Sequence, residues 1–298
     1  MSDERRDRES DRDLIIRRIL VALDASPHSQ AALEAAAELA ARFQAELSGL
    51  FVEDINLLRL MDLPFAREVG FFSATRRQLS SRDLERQLRA QASRVRQRIT
   101  AVAERARLQW SFRVTRGTIT SELLTAAAEA DLVILGRTGL SPTRRRGLGS
   151  TARAIAHRAP AMTLLLQAST CLGPPVVVLY DGSVAAQRAL VAGAALVAAT
   201  IGEESAARLQ VQDRLTVVLV DGSEQAASLR SEAARHLAGY GIRLRYLALT
   251  TSNIATLVQL LHAEQCGTLV VPIRGALLQE ESVLELLDEI DIPVLLVR

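Results

Sequence analysis

The strongest constraint on this chain is that it repeats itself. Ile19-Leu20-Val21-Ala22-Leu23 runs into Asp24-Ala25-Ser26-Pro27, and Val176-Val177-Val178-Leu179 runs into Tyr180-Asp181-Gly182-Ser183. At a constant offset of 157 residues, Asp24 recurs as Asp181, Ser26 as Ser183, Gln30 as Gln187, Leu33 as Leu190 and Leu39 as Leu196. In both places a short apolar run, the pattern of a strand buried on both faces, meets a helix start. Ser26 suits the cap and Pro27 the first helical position. A duplicated strand-turn-helix implies a duplicated fold. Its parts are those of a parallel sheet, because parallel neighbours need a crossover and a helix is the usual one.

The remaining patterns fit that frame. In the first half we expect a helix from Pro27 to about Phe43 and a strand over 47–52. An irregular stretch over 54–75 follows, holding Pro64, Phe65, Phe71 and Phe72. A long Arg-rich helix is expected over 82–107, a strand over 110–115, a helix over 118–130 and a strand over 132–135 ending at Gly136. A helix over 150–159, stopped by Pro160, leads to a strand over 162–166. In the second half strands are expected at 176–179, 215–220, 244–247, 269–271 and 294–297, with helices at 254–263 and 283–289. Each half closes on a proline and an aliphatic strand. The chain therefore reads as α/β, two tandem copies of a doubly wound, mainly parallel five-stranded domain. The domains span 17–168 and 176–298, with a linker over 169–175 and a disordered amino-terminal tail over 1–16.

Composition narrows the chemistry. At 49% hydrophobic residues in 298, the chain can fill two cores. The run 189–201 is 13 residues, short of the roughly 20 that cross a bilayer. The charged start, 1–13, has no apolar core and is no secretory signal; two cysteines make no disulfide framework. A cytoplasmic protein without a transmembrane segment is expected. All 36 basic residues are Arg. The absence of Lys excludes the Gly-Lys-Ser/Thr phosphate loop, Schiff-base chemistry and a pyridoxal-phosphate anchor. Residues 1–168 carry 27 Arg against 20 acids, and 169–298 carry 9 against 14, so the halves face different partners.

One motif carries chemistry. Gly136-Arg137-Thr138-Gly139 is followed by nine residues and then Gly149-Ser150-Thr151. Glycines admit close backbone approach to an anion. The free N–H groups of a helix opening at Ser150 point toward it, the Ser150 and Thr151 hydroxyls add donors, and Arg144, Arg145 and Arg146 add charge. Both this loop and the Asp24 turn lie at the carboxyl ends of strands, where doubly wound sheets bind ligands. A phosphate-bearing ligand follows.

This spacing, with the segments Ile19 to Asp24, Phe51-Val52-Glu53 and Ala130 to Gly136, resembles the universal stress protein family over nearly the whole chain, as a tandem member. The resemblance implies flavodoxin-like domains, ATP with Mg as ligand, and a nucleotide-dependent role in stress response or partner binding. It places Asp24, Ala25 and Ser26 along the nucleotide, the Val52 backbone against adenine, and Gly136, Arg137, Gly139, Gly149, Ser150 and Thr151 around ribose and phosphates. It also implies pairing through the last strand, within one chain in tandem members; a homodimer and an unidentified protein partner remain open.

The second half departs from the pattern. Val271-Pro272-Ile273-Arg274-Gly275 loses the first glycine, and Gln279-Glu280-Glu281-Ser282 stands where Gly-Ser belongs. Carboxylates there repel phosphate, so this half is expected not to bind ATP. Other readings are weaker. Gly147 to Ala152 is a poor dinucleotide fingerprint, and His28, His157, His236 and His262 lack metal-ligand spacing. Residues 76–116 hold 12 Arg and three acids, a solvated face rather than a nucleic-acid surface, since no stacking platform accompanies them. The 54–75 stretch either covers the pocket or meets a partner. Two alternatives stand beside nucleotide binding. One is slow ATP hydrolysis or phosphotransfer, with Asp24, His28 or Glu53 as base; the other is a ligand-free scaffold.

Overall fold

The computed structural model describes residues 14–61, 68–69, 76–77, 81–139, 147–168, 172–200, 215–220, 225–249, 253–273 and 278–298. Its first half runs β1 (Arg18–Ala22), α1 (Pro27–Phe43), β2 (Glu46–Asp54), α2 (Ile55–Met61), β3 (Glu68–Val69), β4 (Arg76–Arg77), α3 (Ser81–Arg105), β5 (Trp110–Gly117), α4 (Ile119–Ala127), β6 (Leu132–Gly136), α5 (Ser150–Arg158) and β7 (Met162–Leu166). The second runs β8 (Val176–Tyr180), α6 (Val184–Thr200), β9 (Leu215–Val220), α7 (Gln225–His236), β10 (Leu244–Leu249), α8 (Ile254–Ala263), β11 (Thr268–Pro272), α9 (Glu280–Glu289) and β12 (Val294–Val297).

Ten strands form one sheet in the order β10-β9-β8-β11-β12-β7-β6-β1-β2-β5. Counted within each block of five, both orders are 3-2-1-4-5, and every pairing inside a block is parallel. This is the doubly wound, flavodoxin-like layout. The blocks meet at one antiparallel seam, β7 against β12, with Leu164 opposite Leu295 and Leu165 opposite Val294. Each of these strands would otherwise be a bare apolar edge, and pairing them removes that liability.

The sheet is covered on both faces, which is why its strands read as unbroken apolar runs. Successive side chains alternate between two cores. Ile19, Val21, Leu132, Ile134, Val176 and Val178 pack on the face lined by α1, α3, α6 and α7. Leu20, Val133, Leu135, Val177 and Leu179 pack on the opposite face, lined by α4, α5, α8 and α9. The Arg-rich α3 joins the first core through Ala92, Val95, Ile99 and Ala103, spaced three and four apart on one stripe.

Several element bounds shift by a few residues from the sequence reading and α7 has no counterpart in it; two further differences concern the ends of expected irregular stretches. Residues 14–17 are tied to the first block: Leu14 packs against the core, Ile16 is 6% exposed, and the Arg17 N–H donates to Asp131 at 2.8 Å. The stretch read as irregular from residue 54 opens with α2, where the Asp54 carboxylate accepts from the Asn56 N–H at 2.9 Å. Pro64, Phe65, Phe71 and Phe72 lie outside the described residues.

Candidate functional site

In the first half β1 sits where the sheet reverses direction, with β2 on one side and β6 on the other. Crossovers diverge from that point, so a crevice opens at the carboxyl ends of β1 and β6. A cavity of about 750 Å³ occupies it. Asp24, Ser26, Val52, Gly136, Arg137, Gly139, Gly149, Ser150 and Thr151 all line this cavity, together with Thr138. Ala25 does not. It forms the corner of the turn at φ +63°, where Gly182 stands at φ +79° in the second half.

The Asp24 turn is built by local hydrogen bonds. One Asp24 oxygen accepts from the Ser26 N–H at 2.9 Å, and Ser26 Oγ accepts from the Ser29 N–H at 3.1 Å. The second half repeats both: Asp181 takes the Ser183 N–H at 2.9 Å, and Ser183 Oγ takes the Ala186 N–H at 3.2 Å. This bond therefore belongs to the turn in either half. The other Asp24 oxygen faces the glycine loop, since a Cβ on Gly139 would stand 3.0 Å from Oδ2.

The glycines divide by task. Gly136 is held by packing, because a Cβ there would come within 2.7 Å of His28 Cβ and 3.2 Å of its carbonyl carbon. Gly149 closes the loop: its N–H donates to the Arg137 carbonyl at 2.8 Å, and a Cβ would lie 3.1 Å from that oxygen. Gly149 is also the cap of α5 and has no side chain to offer. Helices α1 and α8 are capped by Ser26 and Asn253. Among the described residues no side chain caps the start of α5, as is also true at Thr118 of α4 and Gln279 of α9, but at α5 the uncapped turn adjoins the cavity that Ser150 and Thr151 line. A polyphosphate fits this part, as an anion drawn to bare amides and the positive pole of a helix. Much of the remaining lining is apolar, with Leu50, Leu84, Leu88, Ile119 and Leu123, and it also includes Asp54, Gln87 and Gln91. A flat heterocycle with a polar edge suits that lining. Arg144, Arg145 and Arg146 lie outside the described residues.

Arg137 is divided between the loop and the seam. Only its backbone serves the loop. Its side chain, 2% exposed, runs into the seam and donates to the Leu287 carbonyl of α9. Burial pushes the guanidinium pKa down, opposed by Asp291 and Asp288. Two of the three candidate bases are engaged elsewhere. Glu53, 8% exposed, pairs with Arg116 at 2.8 Å on the α3 side. Its hydrogen bond and charge raise the Arg116 pKa. His28 Nδ1 accepts from the Ala168 N–H at 3.0 Å. Of the three groups, Asp24 alone lines the cavity.

Sequence reasoning missed the α3 wall. Leu84, Leu88 and Gln91 repeat at intervals of four and three, and that signal marks a helix face without saying what it faces. Among the described residues there is no group of three or more His, Cys, Asp or Glu able to hold a metal ion, and no helix long and apolar enough to cross a membrane. Cys266 is buried, and desolvation pushes its thiol pKa up to about 12.

Solved structures share the architecture. A universal stress protein from Archaeoglobus fulgidus DSM 4304 aligns with TM-score 0.68 and 19% identity, over 94% of this chain and 97% of that one. A putative universal stress protein from Pseudomonas aeruginosa UCBPP-PA14 aligns with TM-score 0.54 and 16% identity, over 95% and 93%. A universal stress protein in complex with cAMP aligns with TM-score 0.38 and 21% identity, over 52% of this chain and 99% of that one. No curated protein matches the chain. The model of the universal stress protein family matches residues 16–167, just over half of the sequence, and the chain belongs to that family.

Proposed function

We propose that the first half binds ATP, as its Mg complex, and that the protein works as a nucleotide-dependent stress-response module. The observation that carries this reading is the join of two chemistries in one cavity. Uncapped α5 amides and the Gly139–Asp24 approach adjoin it, and Val52 and a group of apolar side chains line it as well. Ser150, Thr151 and the backbone of Gly139 and Gly149 would hold the phosphates, and Val52 with the leucine wall would hold adenine. The Asp24 oxygen toward Gly139 is the carboxylate on the cradle side, so Mg would be held chiefly by the phosphates it arrives with. Bound nucleotide stabilises the fold by mass action, roughly 2.7 kcal/mol at a hundredfold excess over Kd.

The second half supports the assignment by contrast. Helix α9 begins Glu280-Glu281 after Gln279, where α5 begins Ser150-Thr151 after Gly149. Ser150→Glu transplants that sign. A carboxylate in a first helical turn is favourable to the helix and unfavourable to phosphate. Calorimetric titration with Mg-ATP is expected to show binding by the wild type and at least about tenfold weaker binding by Ser150→Glu, with an undiminished melting temperature. Equal affinity in the two proteins would overturn the site.

A further inference from the structure

We infer that Asp288, in the half expected not to bind nucleotide, is a positioning residue for the phosphate loop of the other half; the inference rests on the nucleotide reading above. The two limbs of that loop leave β6 at Arg137 and enter α5 through Leu148. Consecutive residues of α9 hold one limb each. The Leu287 carbonyl accepts from the Arg137 side chain. One Asp288 oxygen accepts from the Leu148 N–H at 2.8 Å, and the other takes Arg153 Nη2 of α5 at 2.6 Å. The limbs are joined to each other by the Gly149 N–H on the Arg137 carbonyl, 2.8 Å.

The surroundings are shaped to this carboxylate. Gly147 stands at φ +87°, and a Cβ there would lie 3.0 Å from Asp288 Oδ1. Leu148 is fully buried, so its position is set. Its neighbour Gly149 is the α5 cap, and the proposed phosphate donors Ser150 and Thr151 follow directly. Asp288 thus fixes the residue from which the bare amides are aimed, without lining the cavity itself. Preorganised donors bind more tightly because ordering is not left to the ligand. The carboxyl-terminal half keeps carboxylates at its own α9 start and supplies one at the loop next door.

The test compares the full chain with Asp288→Ala, Asp288→Asn and a control, Glu264→Gln, which disturbs the Arg245 pair at 2.5 Å in the second half. Amide exchange over residues 147–152 is followed without nucleotide, and Mg-ATP titration gives Kd and stoichiometry separately. Asp288→Ala is expected to exchange about tenfold faster there and to bind about tenfold more weakly at unchanged stoichiometry. Asp288→Asn, which keeps an acceptor for Leu148 but no charge for Arg153, should fall between. The control should match the wild type. Unchanged exchange, or lost stoichiometry at unchanged Kd, overturns the inference. If the wild type binds no ATP, the nucleotide reading falls, and the exchange comparison alone upholds or overturns the role of Asp288 in setting the loop.

Discussion

Ala25 carries a backbone cost that its repeat partner avoids. At φ +63° its Cβ crowds the following carbonyl, a strain of about 1–2 kcal/mol, whereas Gly182 takes the same corner freely. Ala25→Gly relieves the strain and loses some unfolded-state restriction, roughly 0.5–1 kcal/mol. The expected net is a gain of about 0.5–1 kcal/mol, read as a higher urea midpoint at unchanged slope. Gly136 makes the opposite case. Gly136→Val drives side-chain carbon into His28 Cβ and backbone at the start of α1, where a Cβ alone would already stand at 2.7 and 3.2 Å. Overpacking of this kind costs about 1–3 kcal/mol, so a lowered melting temperature without nucleotide is expected. Loss of ATP binding in that variant would report folding as much as contact, and Ser150→Glu is therefore the sharper probe.

Among the elements, strands and glycine loop were legible where composition alone determines geometry. Val176 to Leu179 and Leu132 to Leu135 are aliphatic because both sheet faces are covered, and nothing competes with that pattern. Ser26-Pro27 announced α1, which begins at Pro27. Helix α2 was missed beside the proline and phenylalanines downstream, although Asp54 before an apolar run is a helix-start signal, and it does accept the Asn56 N–H. The direction of the Arg137 side chain was not readable from the sequence, for a different reason. The resemblance places Arg137 in the loop, but the direction of its side chain depends on α9, 150 residues away. The same holds for Leu84, Leu88 and Gln91, whose stripe was readable and whose facing partner was not. Local chemistry shows in sequence; the crossing of one element over another does not.

In the whole molecule, the seam between the two blocks is unequal. Charged contacts cross it toward the first half's loop, through Arg153 with Asp288 and Arg298 with the Ala156 carbonyl at 2.6 Å. Burial pushes the Asp288 pKa up, but the Arg153 hydrogen bond, the Leu148 N–H and the charges of Arg153 and Arg137 outweigh it, leaving it below the usual carboxylate range. A depressed folded-state pKa adds stability that is present above the unfolded value of about 3.9 and lost as pH falls through the lower folded value. The melting-temperature gap between the wild type and Asp288→Asn is therefore expected to stay constant from neutral pH to about pH 4 and to close below it.

Amide NMR of the full chain titrated with Mg-ATP tests the central claim most directly. Saturable shifts are predicted at Gly139, Gly149, Ser150 and Thr151, with Gln279, Glu280 and Glu281 unmoved. Shifts of equal size at the α9 start, or none at the α5 start with ATP in large excess, would contradict it.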